Sequence, residues 1–410
     1  MDVATSAASP LRADPLRDVP ADASAPTPSG LGEWDRVLGG GFVAGSTTLL
    51  FGEPGVGKST LALVISRELA RRGATVLLLA SEESAVQVAR RARRLGVIPT
   101  GLDVATTSDV GVAEALVRER PRTLCVVDSI SAMSDDSVAS VVGSVAQLRL
   151  VAERLCAVAR STDTALLLIG HVTKDGELAG PRALEHLVDT VVRIEGDRHG
   201  SLRQLRAQKN RFGPTGEVGL FEMGGEGLVE LTDDTVTRRA ARLHVPGVVL
   251  TVTNDGSRSF VVEIQALVAR SSGAARRVAH QVSSQRLSLL LAVLEARCGV
   301  DTSSWDVFAA TAGGLAALEP SVDLALALAV ASAATGFAPV PSLVAIGEVG
   351  LAGELRAVSG LTRRVGEAVR RGATTVLVPE EGDVDAPGGA RVVRCASLVA
   401  AIAAARPVTQ

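Results

Sequence analysis

The sequence predicts an α/β protein, with a mostly parallel sheet flanked by helices on both faces and a second α/β unit after it. Three observations carry that expectation. Short apolar runs at residues 47–51, 75–80, 124–127 and 165–169 alternate with helical stretches at 60–72, 85–95 and 145–161; strands covered on both faces read as continuous apolar runs. A glycine-rich loop, Gly52-Glu53-Pro54-Gly55-Val56-Gly57-Lys58-Ser59, joins the first run to the first of these helices. A polar segment at 232–243 then separates this pattern from a fresh one that begins near Val245.

Taken in order, residues 1–27 are rich in Ala, Pro, Ser and Asp without hydrophobic periodicity, which predicts a disordered tail. The first unit covers 28–231, and its helix at 60–72 is stopped by Gly73. Segments 191–195, 202–208 and 218–223 are closely spaced and more polar, so they are expected to extend the sheet in antiparallel fashion. After the linker at 232–243, the second unit fills 244–410. It has strands near 260–268 and 343–346, helices at 284–296, 321–334 and 361–371, and a last strand at 375–378.

Composition narrows the function classes. Hydrophobic residues make up 47% of the 410, yet no apolar run approaches the roughly 20 residues of a membrane span. The head has no basic segment leading into an apolar one, so a cytoplasmic protein without membrane contact is expected. Cys125, Cys156, Cys298 and Cys395 are far apart and read as free thiols, neither a disulfide framework nor a zinc site. A net charge of −3 confines any nucleic-acid contact to a local surface or to a pore built by several subunits. With 2% aromatics and no tyrosine, contact to a nucleic-acid backbone is expected rather than base stacking.

Of 42 basic side chains only three are lysine: Lys58, Lys174 and Lys209. An ammonium fits a phosphate cradle that a planar guanidinium overfills, so these three positions are candidates for function. Lys58 closes the glycine-rich loop, which has the G-x4-G-K-[ST] pattern between a strand and a helix. Gly52, Glu53, Pro54, Gly55, Val56 and Gly57, all but Pro54 offering a backbone N–H, with Lys58, Ser59 and Thr60 opening the helix, form the expected ATP-binding loop. Lys58 reaches the β- and γ-phosphates in this reading, and Ser59 with Asp128, at the end of the apolar run 124–127, holds Mg2+. Asp128 also suits the cap of a following helix. Glu82 and Glu83 end the second strand, and either can serve as general base for water; Glu82 is preferred. His171, at the end of the next strand, is a candidate sensor of the γ-phosphate.

These residues resemble the bacterial RadA (Sms) family, relatives of RecA. The resemblance rests on an ordered series: Pro28-Ser29-Gly30-Leu31-Gly32-Glu33-Trp34-Asp35-Arg36-Val37-Leu38-Gly39-Gly40-Gly41, the P-loop, Ser81-Glu82-Glu83-Ser84, Val127-Asp128-Ser129-Ile130, Gly170-His171-Val172-Thr173-Lys174, Ala179-Gly180-Pro181-Arg182, Glu185-His186-Leu187-Val188-Asp189-Thr190-Val191, and Lys209-Asn210-Arg211-Phe212-Gly213. It implies a RecA-like P-loop ATPase core followed by a Lon-protease-like α/β domain. It further implies a DNA-dependent ATPase of recombinational repair, a homohexameric ring that promotes branch migration on single-stranded and branched DNA, with RecA as a partner. By the same resemblance Lys209 and Arg211 reach into a neighbour's ATP site, and residues 132–143 and 174–181 face DNA. Lys174, Arg182, Arg276, Arg277 and Arg286 are the cations this reading assigns to DNA. The rival expectations are a RadA-like ATPase that no longer translocates, and a non-enzymatic scaffold.

The sequence departs from the family in two places. Members usually begin with a four-cysteine zinc finger, whereas no cysteine precedes Cys125, so no zinc is expected. In the second unit, Glu319-Pro320-Ser321-Val322-Asp323 falls where Lon proteases carry their nucleophilic serine, and the partner lysine position, 43 residues on, is Arg364. Arginine stays protonated and cannot act as the base of a Ser–Lys dyad. Ser321 is therefore expected to cap the helix that follows, and the unit to be proteolytically inactive.

Overall fold

The computed structural model describes residues 25–137, 140–171, 181–196, 200–225, 227–231, 244–312, 315–382, 384 and 387–407. The expected linker and residues 1–24 of the expected tail lie outside them. Thr27, the last residue of the expected tail, is paired with the first unit. Thr27 and Phe42 exchange backbone hydrogen bonds of 2.7 and 2.9 Å. Gly41, at φ 133°, lets the two segments meet, since a Cβ there would sit 2.2 Å from the Thr27 carbonyl oxygen.

The first unit runs α1 (Gly32–Leu38), β1 (Thr47–Gly52), α2 (Lys58–Arg71), β2 (Val76–Ala80), α3 (Ala85–Arg94), β3 (Leu102–Thr106), α4 (Val110–Glu119), β4 (Leu124–Asp128), α5 (Val145–Ser161), β5 (Ala165–His171), α6 (Pro181–Glu185), β6 (Thr190–Gly196), β7 (Leu202–Asn210), β8 (Val218–Gly224) and β9 (Gly227–Glu230). Its sheet has the order β3-β2-β4-β5-β1-β6-β7-β8-β9. The strands from β3 to β6 are parallel and the rest antiparallel, so β6 is the hinge between the two patterns. β1 and β2 are buried at every position, and one apolar layer covers each face, with Leu50 and Val126 in one and Leu49 and Val127 in the other. Such two-sided burial is why these strands are continuous apolar runs.

The second unit runs β10 (Val248–Asp255), β11 (Arg258–Arg270), β12 (Arg277–His280), α7 (Ser284–Cys298), β13 (Trp305–Thr311), α8 (Asp323–Thr335), β14 (Leu343–Ala345), β15 (Glu348–Val349), β16 (Leu355–Arg356), α9 (Leu361–Arg370), β17 (Thr375–Pro379), β18 (Arg391–Cys395) and α10 (Leu398–Ala405). Its sheet has the order β12-β13-β11-β10-β14-β17-β18, with β15 and β16 as a separate pair. Helix α8 is the centre of the core: every residue from Asp323 to Ser332 is buried. The two units share an apolar cluster in which Val218, Leu220 and Leu231 meet Phe260, Val262 and Leu315. Beside it Arg258 forms a buried ion pair with Glu33 of α1, while Gln204 and Arg206 of β7 both bond Asp255.

Candidate active site

β1 delivers the chain to the C-terminal edge of the parallel strands, where the glycine-rich loop turns into α2. Only glycine suits position 52, because a Cβ there would lie 2.3 Å from the Ile194 carbonyl oxygen on β6. Gly57, at φ 112°, caps α2 in a conformation that other residues rarely adopt. The loop thus leads straight into a helix N-terminus, whose free N–H groups and dipole favour an anion. Lys58 is 4% exposed. Its Nζ donates to the carbonyls of Gly52 (2.8 Å) and Glu53 (3.0 Å), which hold the ammonium inside the cradle. Burial pushes the Lys58 pKa down, and Asp128 and Glu82 oppose that shift.

Ser59 Oγ donates to Asp128 Oδ1 at 3.1 Å, so a hydroxyl and a carboxylate converge beside the loop. This pair fits Mg2+, a cation that takes one or two protein oxygens and completes its shell with phosphates and water. Burial raises the Asp128 pKa, and the Ser59 hydrogen bond is the largest effect against it. The two acidic candidates on β2's end separate clearly. Glu82 accepts a hydrogen bond from Ser129, next to Asp128, whereas Glu83 is tied to Arg91 of α3. His171 pairs with Gly52 in the β5–β1 register, which sets its backbone beside the loop. Its side chain, like that of Arg182, lies outside the description, and Lys174 lies outside the described residues altogether.

Lys209 and Arg211 stand elsewhere. The β6–β7 register pairs Thr190 with Asn210 and Val191 with Lys209, whereas Gly52 pairs with Ile194. The Lys209–Gly213 segment is therefore at the N-terminal edge of the parallel strands, and the P-loop is at the other edge. From Thr47, beside Arg211's partner Asp189, to Gly52 is about 16 Å at strand rise, before the sideways step across β6. Arg211 thus stands at the edge opposite its own phosphate cradle.

A family model for the AAA domain matches residues 12–177, and one for subunit ChlI of Mg-chelatase matches 312–382. Among solved structures, a KaiC-like protein of Pyrococcus horikoshii aligns at TM-score 0.43 and 20% identity, over 51% of this chain and 100% of that one. DNA repair protein RadA of Mycolicibacterium smegmatis is 45% identical over 386 residues, 93% of this chain and 83% of that protein. The Bacillus subtilis protein of that name is 41% identical over 377 residues, 91% and 82% of the two chains. The chain belongs to the RadA family. Its architecture is accordingly a RecA-like P-loop ATPase core followed by a Lon-protease-like α/β unit.

RadA membership gives the second unit its comparison with a protease, and the geometry there is informative. Arg364 is 1% exposed, and its Nη1 donates to Ser321 Oγ at 2.9 Å, across the 43-residue spacing read in the sequence. The same guanidinium makes a two-pronged contact with Glu319 (2.6 and 2.7 Å) and donates to the Val252 (2.7 Å) and Ser359 (3.0 Å) carbonyls. Burial alone would raise the Glu319 pKa, but the bonds from Arg364 and the Asn254 N–H hold it below the usual range. Ser321 does not cap a helix, which corrects the sequence expectation. It sits in a 3-10 turn, Pro320–Val322, α8 begins at Asp323, and the Ser321 hydroxyl accepts from Arg364 and makes no cap bond to the helix. Arg364→Ala is expected to destabilise the second unit by about 3–5 kcal/mol in denaturant unfolding, since it strands Glu319. Ser321→Ala should leave activity on unfolded protein substrates identical to wild type; serine-dependent proteolysis by the wild type would overturn this account.

The three arginines expected on a DNA-facing surface already have partners. Arg276 holds Asp306 at 3.0 and 2.6 Å, Arg277 donates to the Thr302 and Trp305 carbonyls, and Arg286 pairs with Asp323, which is 1% exposed. Arg286 joins α7 to α8 rather than presenting a free charge. Sequence reasoning missed Arg203, 7% exposed on β7, whose Nε donates to the P-loop carbonyl of Val56 at 2.9 Å. The only signal was an arginine at an inward position of an alternating strand.

Proposed function

We propose that this chain is a DNA-dependent ATPase of recombinational repair that works as a head-to-tail homohexameric ring and promotes branch migration. One observation carries the reading: each chain has a phosphate cradle on one edge of its sheet and the Lys209/Arg211 pair on the opposite edge. Stacked head to tail, one chain's Arg211 would meet the next chain's cradle, while Lys209, bonded to the Glu185 and Val188 carbonyls, stays within its own chain; such contacts close into a ring when the rotation between neighbours closes. In this arrangement the loop amides and Lys58 bind the phosphates, Ser59 and Asp128 hold Mg2+, and Glu82 orients and deprotonates water. Bound there, Mg2+ would neutralise charge on the phosphate oxygens. Arg211 from the neighbour would stabilise the charge of the transferring phosphoryl group. Names of the relatives supply the repair context.

The test is ATP turnover by the purified chain with and without single-stranded DNA, alongside conversion of a three-strand branched DNA. Turnover should rise with DNA, and branch conversion should require hydrolysable ATP. An ATPase indifferent to DNA and inert on branches would remove the motor reading.

A further inference from the structure

Among the described residues, the Glu185–Asp189 segment holds the side chains of both cations of the basic pair, at the edge of the sheet away from the P-loop. Asp189 is 8% exposed. Its N–H donates to the Thr47 carbonyl (2.9 Å), and its Oδ2 accepts the Thr47 N–H (3.0 Å). The remaining oxygen, Oδ1, accepts from Arg211 Nη1 at 3.2 Å, while the Arg211 N–H donates to the Asp189 carbonyl at 3.2 Å. Lys209 Nζ donates to the carbonyls of Glu185 and Val188, both at 2.8 Å. A bulge in β7 makes this possible: Val192 pairs with Ala207 but Val191 with Lys209, so Lys209 takes the face that Gln208 would otherwise occupy.

We infer that Asp189 is a positioning residue for Arg211: a rigid carboxylate that aims the guanidinium across the subunit boundary while Lys209 clamps the turn that carries it. This rests on the proposed trans role of Arg211. The contrast in burial favours it. The Asp189 side chain is buried and bonded through both oxygens, whereas the Arg211 side chain is 57% exposed and, among the described residues, held by one Nη1 contact. A single exposed contact of this kind is weak. It narrows the positions that Arg211 samples without tying up its other donors, and such preorganisation raises the rate of a step that needs the charge in place.

The experiment is a double-mutant cycle on ATP turnover. Asp189→Asn keeps an acceptor for the Thr47 N–H and removes the charge facing Arg211. It is expected to lower kcat about fivefold, the upper range of an exposed ion pair, with KM for ATP unchanged because each chain's own loop binds the nucleotide. Asp189→Glu should recover part of the loss. Beside Arg211→Ala, followed in single-turnover measurements, Asp189→Asn should cost nothing further. An equal additional loss in that background would make Asp189 merely structural and overturn the inference, as would wild-type kcat for Asp189→Asn alone. If Asp189→Asn does not fold, the cycle is run with Asp189→Glu, which should be mildly slow alone and silent beside Arg211→Ala. Full turnover of Arg211→Ala would overturn the trans reading and this inference together; slow Arg211→Ala with unaffected Asp189→Asn would overturn only the inference.

Discussion

Mixing an inactive Lys58→Ala chain with an inactive Arg211→Ala chain is expected to restore ATP hydrolysis. Alone, Arg211→Ala should lose about a thousandfold in turnover or more, the usual effect of removing an arginine that contacts the transferring phosphoryl group. In a mixed ring, an interface in which the Lys58→Ala chain offers Arg211 to the other chain's intact loop is a whole site. Random mixing in equal amounts gives about a quarter of such interfaces, because each head-to-tail contact joins two different edges. Activity should therefore pass through a maximum as the ratio is varied. Were Arg211 to serve its own loop, every site in the mixture would lack one group. Mixed rings that form, seen by imaging or native mass, yet hydrolyse nothing at any ratio would overturn the trans arrangement. The sheet already disfavours the cis alternative, since Arg211 and the P-loop leave it at opposite edges.

Lys58→Ala and Lys58→Arg should each abolish hydrolysis, with losses of about a hundred- to a thousandfold or more. The alanine removes the charge. The arginine fails for a different reason: the ammonium is buried between the Gly52 and Glu53 carbonyls, 2.8 and 3.0 Å away, and a planar guanidinium is too wide for that space. Near-normal turnover by either variant would remove the assignment of this loop to ATP. Comparing the two separates charge from shape, because binding of nucleotide should persist better in Lys58→Arg.

Much of the parallel sheet was legible because its central strands are apolar on both faces, as β1, β2 and β4 show. β3 was not. It is the edge strand of its sheet and only partly covered, so Leu102–Thr106 mixes polar and apolar residues and carries no run to detect. In the second unit β10 and β13 escaped notice for a related reason: Val248–Asp255 and Trp305–Thr311 bury Thr251, Thr253 and Asp306 among their apolar residues. The linking of the two units through Arg258 and Glu33, 225 positions apart, leaves no local pattern at all.

Residue order is enough to find the P-loop, its flanking strand and helix, and the arginine that stands in place of a dyad lysine. These depend on residue type at short or family-fixed spacing: glycines where backbone must close on an anion, and an ammonium where a guanidinium does not fit. Tertiary structure alone decided what each charge faces. It put Glu82 on Ser129 and Glu83 on Arg91, two neighbours with different partners. It committed Arg286 to Asp323 and Ser321 to Arg364, and it set Arg211 against Asp189 on the edge far from its own loop. The physical reason is that a charged group's role depends on its through-space partners and its burial, and both arise from chain segments that only the folded sheet brings together.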